Sequence, residues 1–146
     1  MKEKCKIYLL QGNLFYSHIF KQNLINLGYS DVSSYNTIAE CINHLDDMPD
    51  IIFYDYDVDF LDGEHVLKMI KKFYPEIYVL FSCAAEESHV VPKFLQHGAF
   101  DYFIKGQDEM SSVEEILINI IDVKKQLGRT SFTACLQRKI HALFAG

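Results

Sequence analysis

Five short strand-like runs, most of them apolar and each followed by an amphipathic stretch, set the limits on what this chain can fold into. Residues 7–10, 32–35, 51–54, 78–81 and 101–104 read as strands. The run 51–54 is uncharged, as in a strand buried on both faces of a parallel sheet. The stretches that follow read as helices. Residues 14–27 place Phe15, Ile19, Phe20, Leu24 and Leu27 at helical spacing, with Gly28 as terminator. Thr37, with Glu40 three residues on, is a capping box for a helix running to about Leu45. Residues 64–73 form the next helix, ended by Pro75. A short fourth helix is expected from about Val91, where Pro92 fits the first turn, after a loose loop and before Gly98. Ser111 or Ser112 caps the fifth, which carries Val113, Ile116, Leu117, Ile120, Ile121 and Leu127.

Five βα units in a row predict an α/β domain, a parallel sheet with helices on both faces. Right-handed crossovers leave few topologies, and the flavodoxin-like order 2-1-3-4-5, a three-layer α/β/α arrangement, is the natural one. The length of 146 residues fits one domain with a real core plus a short extension. Apolar residues make up 49% and aromatics 14%, which excludes a disordered chain. No run is long and apolar enough to span a bilayer, and Met1-Lys-Glu-Lys-Cys5 lacks the apolar core of a signal peptide, so a soluble, cytoplasmic protein is expected. Cys5, Cys41, Cys83 and Cys135 are scattered and read as free thiols in a reducing compartment. The histidines show no metal-ligand spacing, and no Gly-rich loop offers a nucleotide or flavin site.

The net charge of −6 is unevenly spread: residues 124–146 hold five Lys/Arg and no acid, leaving nine bases against twenty acids elsewhere. A break is expected at Gly128. Beyond it Phe132, Cys135, Leu136, Ile140 and Leu143 line one face of an extra helix. We therefore divide the chain into a domain over 1–127 and a basic amphipathic extension over 128–146, read first as a linker and then as a dimerisation helix. Five charges without interleaved aromatics are thin evidence for a nucleic-acid surface. The ending at Ala145-Gly146, in mid-pattern, leads us to expect a fragment of a longer chain.

In this topology the carboxyl ends of strands 1, 3 and 4 face one crevice, with strand 5 beside it. Strand 1 ends at Gln11-Gly12-Asn13, strand 3 at Asp55, strand 4 at Ser82-Cys83 and strand 5 at Lys105-Gly106. A carboxylate nucleophile, a hydroxyl and an ammonium make a set suited to phosphoryl transfer. Retention of Asp55 as a buried or hydrogen-bonded residue, and pairing of Lys105 with it, are the structural alternatives. Asp57 and Asp59 read either as a solvated acidic loop or, for Asp57, as an added charge in the site.

Several motifs together resemble the receiver domain of two-component response regulators over roughly residues 4–127. Asp55 and Gly63 match the phosphoacceptor pattern, with Asp59 where the family has Pro. Ser82-Cys83-Ala84 matches the strand-4 Thr/Ser-Ala step. Gly98-Ala-Phe-Asp-Tyr102-Phe-Ile-Lys105-Gly106 matches Gly-Ala-x-x-Tyr-x-x-Lys-Pro, with Gly for Pro. The resemblance implies the CheY-like fold, a phosphoacceptor at Asp55, assisting roles for Ser82 and Lys105, an aromatic switch at Tyr102, and a non-enzymatic role in phosphorelay signalling. It implies a histidine kinase or other signalling protein as partner, and a possible homodimer through the face of helix 4, strand 5 and helix 5, or through the C-terminal helix. It also implies Mg²⁺, held by Asp55 and two strand-1 acids. Those two positions fall on Gln11 and Gly12, so Mg²⁺ is expected to bind weakly, through Asp55 and Asp57, and phosphorylation to be weak or absent. A working phosphoacceptor at Asp55, or a small aspartate-based phosphatase, are the rival expectations.

Overall fold

The computed structural model describes residues 4–58, 63–106 and 108–145, with side chains described as far as Leu127. Asp59 and the side chains of Phe132, Cys135, Leu136, Ile140 and Leu143 lie outside the described residues. By compactness the chain divides into one unit over residues 1–112 and a second over 113–146.

In the first unit, strands β1 (Ile7–Leu10), β2 (Val32–Tyr35), β3 (Ile51–Asp55), β4 (Tyr78–Cys83) and β5 (Asp101–Ile104) form one sheet of order β2-β1-β3-β4-β5. Every pairing is parallel. This is the flavodoxin-like fold expected. Strand alternation divides the core in two. Tyr8, Leu10, Ile52, Tyr54, Val79, Phe81 and Cys83 face a cluster with residues of α2 (Ile38–Asn43), α3 (Gly63–Phe73) and α4 (Val91–Gln96). On the opposite face, α1 (Leu14–Asn26) sets Phe20 against Phe53 of β3, at 5.1 Å between ring centroids, and against Phe103 of β5, at 5.8 Å.

The predicted face of α1 is corrected. Its buried residues are Ser17, Phe20 and Leu24, while Phe15 is 76% exposed and Ile19 44% exposed. Apolar residues occur all round this helix, so periodicity alone could not choose the side that meets the sheet. Two further expectations change. The loose loop before α4 is a 3-10 helix over Ala85–Val90, closed by the Ala84 N–H donating to Oε1 of Glu87 at 3.0 Å. The last helix, α5 (Glu109–Ala145), starts ahead of both serines and runs without interruption through Gly128. In the second unit, Val113, Ile116, Leu117 and Ile120 form its buried stripe. Among the described residues no helix is long and apolar enough to cross a membrane.

Candidate functional site

Asp55 closes β3 and is 1% exposed. Its register partner on β4 is Ser82. On the other side, Gln11 follows Leu10, the partner of Tyr54. Three neighbouring strands thus deliver Gln11, Asp55 and Ser82 side by side at their carboxyl ends, and alternation turns all three toward the face that carries α1. Lys105 follows β5, and its backbone N–H extends the ladder by one bond, donating to the Cys83 carbonyl at 2.9 Å. That bond fixes where the side chain begins. Its Nζ then donates to Asp55 Oδ1 at 3.2 Å and Oδ2 at 3.0 Å, and to Asp57 Oδ2 at 3.1 Å. Asp57 lies in a 3-10 turn over Tyr56–Val58 and donates its own N–H to Asp55 Oδ1 at 3.3 Å.

One ammonium therefore serves two carboxylates. Burial pushes the Asp55 carboxyl above its ordinary range, and Lys105 opposes that rise without cancelling it. Burial also pulls Lys105 down, but the hydrogen bonds and charges of Asp55 and Asp57 outweigh it and leave Lys105 above the usual lysine value. Lys105 is thus a cation throughout the neutral range. Burial raises the Cys83 thiol to about 11, so this cysteine is no nucleophile.

Two residues that sequence reasoning missed complete the site. The Tyr16 ring lies 5.0 Å from Lys105 Nζ, at a cation–π distance. The Tyr16 hydroxyl donates to Glu109 Oε1, and Glu109 Oε2 accepts the Gly106 N–H at 2.9 Å. Burial, then the Glu109 carboxylate, hold the Tyr16 hydroxyl far above the usual tyrosine range, so it remains a donor. Glu109 follows Gly106 at capping spacing, a signal the sequence carries alongside that of the two serines. Nothing in the sequence marked Tyr16.

Among the described residues the remaining candidates make no side-chain hydrogen bond to Lys105 or its two carboxylates. Both amide atoms of Gln11 and the hydroxyls of Ser82 and Ser17 are buried with no hydrogen-bond partner among the described residues. The Asn13 side chain is committed to capping α1, accepting the Tyr16 N–H at 3.0 Å. Gly12 backs onto the 56–58 turn: a Cβ there would lie 3.5 Å from the Asp57 carbonyl oxygen. Tyr102 is 39% exposed, which places it at the surface and outside the core.

The description "response regulator receiver domain" belongs to a family model that matches residues 13–117. The chain belongs to this family. Solved receiver domains share its fold at low identity. The signal receiver domain of a putative Luxo repressor protein from Vibrio parahaemolyticus superposes with a TM-score of 0.73 at 18% identity, covering 84% of this chain and 95% of that one. A CheY-like receiver domain protein from Methanospirillum hungatei gives 0.73 at 18%, covering 85% and 99%. NtrX from Brucella abortus gives 0.65 at 20%, covering 96% of this chain and 29% of that longer one. No curated protein sequence matches.

Receiver domains typically bind Mg²⁺ at an acidic site. The donors here do not reproduce such a site. Among the described residues no three His, Cys, Asp or Glu side chains come together to hold a metal. The two carboxylates that the described residues place there, Asp55 and Asp57, are both engaged by Lys105. Where strand-1 acids would stand, Gln11 offers a neutral amide and Gly12 no side chain.

Proposed function

We propose that this receiver domain is an atypical one, working in signal transduction as a protein-interaction module with weak or absent Mg²⁺-dependent phosphorylation. One observation carries the reading: Lys105 bridges Asp55 and Asp57 while β1 ends in Gln11 and Gly12. A phosphoryl donor is dianionic, and a receiver relies on its cation to offset that charge. Here the cation is an ammonium already saturated by two carboxylates. Mg²⁺ needs oxygen ligands, usually with one or two carboxylates among them. The carboxylates that the described residues offer it, Asp55 and Asp57, are shared with Lys105, so its binding is weak. The module spans residues 1–127, with 128–146 as a linker or dimerisation segment. Its partner is a histidine kinase or another signalling protein, met through the surface around α4 and β5, where Tyr102 is exposed. Asp55, Ser82 and Lys105 couple to that surface.

Beryllofluoride, a phosphoryl mimic, tests the reading. With millimolar Mg²⁺ it is expected to leave the amide signals of Asp55, Ser82 and Lys105 unmoved. Shifts at all three that vanish in Asp55→Asn would establish the working phosphoacceptor instead.

A further inference from the structure

The loop after β5 departs from what the family resemblance led us to expect at one point, Gly106 in place of Pro, and that departure has a geometric use. Gly106 takes φ +141, a backbone conformation open to glycine and closed to proline. It also supplies an N–H, which proline lacks, and donates it to Glu109 Oε2 at 2.9 Å. Two residues on, Asp108 takes φ +65, an uncommon left-handed conformation for a non-glycine residue. Glu109, in the first turn of α5, is thereby brought back to the Gly106 N–H. There its other oxygen accepts the Tyr16 hydroxyl. The ring so held lies against the Lys105 ammonium.

We propose that Tyr16 and Glu109 are positioning residues, a latch that joins the first turn of α1 to the β5–α5 loop and holds Lys105 on Asp55 and Asp57. This deepens the function proposed above and rests on it, since the latch regulates the same ion pair. Three independent contacts converge on the idea: the hydroxyl to Glu109, Glu109 to Gly106, and the ring to Lys105. None is needed to build the sheet. Glu109 is the shared element, one carboxylate that accepts from two segments far apart in sequence. Lys105 has a long, flexible stem that carries much rotamer freedom. A ring on one side and two carboxylates on the other confine it. While the latch is shut, the ammonium stays on Asp55. A partner that drew Tyr16 or Glu109 away would free it.

The experiment is nuclear magnetic resonance on the full chain in metal-free, fluoride-free buffer, following the Lys105 side chain. In the wild type, the ring should shift the Lys105 Hε protons upfield and the ammonium protons should exchange slowly. Glu109→Ala and Gly106→Pro are expected to collapse the upfield shift and to speed ammonium exchange about tenfold, the scale of one lost charge-assisted hydrogen bond. Tyr16→Phe keeps the ring but loses the anchor, so the same direction is expected. Glu109→Gln can still accept the Gly106 N–H with its oxygen and donate its amide N–H to the Tyr16 hydroxyl, and should restore most of the wild-type behaviour. Tyr78→Phe, a tyrosine at the opposite end of β4, should change nothing. Thermal melting identifies any variant that has lost the fold; Glu109→Ala alters a half-exposed side chain and is the variant on which the outcome rests. A Lys105 signal unchanged in folded Glu109→Ala overturns the latch. The beryllofluoride result is read on the wild type and Asp55→Asn, not on the latch variants, so the function could fail with the latch intact, or the reverse.

Discussion

Gln11 is fully buried, and neither amide atom finds a partner among the described residues. A buried polar group left unsatisfied costs about 1–3 kcal/mol. Gln11→Leu, of similar size, is therefore expected to unfold at a urea concentration equal to or above that of the wild type. A receiver that depended on this amide would lose stability instead. The complementary change restores charge. Gly12 takes no positive φ, and a Cβ there meets only ordinary contacts, so Gln11→Asp with Gly12→Asp has room to form. This double variant should bind Mg²⁺ at least about tenfold more tightly than the wild type, the equivalent of ~1.4 kcal/mol, as read by tyrosine emission or by amide shifts. Asp55 sets the pH behaviour. Its folded pKa lies above its unfolded value, so the folded chain holds that proton more tightly. The resulting stability is fully present below about pH 4, the ordinary carboxylate range, and is lost as pH rises through the folded pKa. Relative to Asp55→Asn, the urea midpoint of the wild type should fall across that window. Lys105→Met removes the opposing charge and should move the Asp55 titration, followed by carboxyl ¹³C shifts, higher still.

At the scale of elements, two packing contacts invite direct tests. Phe20 is the ring by which α1 meets both β3 and β5, and Phe20→Ala should cost about 3–5 kcal/mol in urea unfolding. Gly63 opens α3 under the Phe94 ring, where a Cβ would come within 2.9 Å of Cζ. Phe94 is itself stacked on Phe81 at 3.9 Å and has little room to yield. Gly63→Ala should cost about 1–3 kcal/mol. The strands were legible because most are compact apolar runs cut off by Gly, Pro or charge, with Val32-Ser-Ser-Tyr35 marked by its place between two helices, and because five in a row admit few topologies. The side of α1 was not, since Leu14, Phe15, Ile19 and Ile25 are apolar yet exposed. Neither was the 3-10 helix at 85–90, which is held by short-range hydrogen bonds and leaves no periodic trace. In the site, Asp55, Ser82 and Lys105 were legible as strand ends. The latch was not, because Tyr16 and Glu109 meet only through the fold.

For the whole molecule, the distribution of chromophores provides a test. All nine tyrosines lie between residues 8 and 102, and the chain has no tryptophan. Tyrosine emission thus reports on the first compact unit alone, whereas helical circular dichroism reports on both. If the two units at 1–112 and 113–146 open separately, the two urea curves will not superimpose, and the dichroism will show a phase that the emission lacks. Coincident curves would mean a single cooperative unit. Gly128 belongs to the same test. A glycine inside a helix costs roughly 1 kcal/mol relative to alanine, so Gly128→Ala should slow amide exchange around it about fivefold and leave the tyrosine transition in place. The sequence points to a break there, because glycine ends helices more often than it sits within them, but the helix continues through Gly128.

The ammonium of Lys105 rests on Asp55 and Asp57, and it is tied to them by the chain itself. A free ion comes and goes by mass action, so a site that borrows one responds to the supply in its surroundings. A tethered cation has a fixed effective concentration. If Lys105 fills this role, the resting state of the domain is independent of the cell's magnesium. Dilution cannot empty the site and supplementation cannot fill it. Its occupancy then changes only when something pulls on the chain.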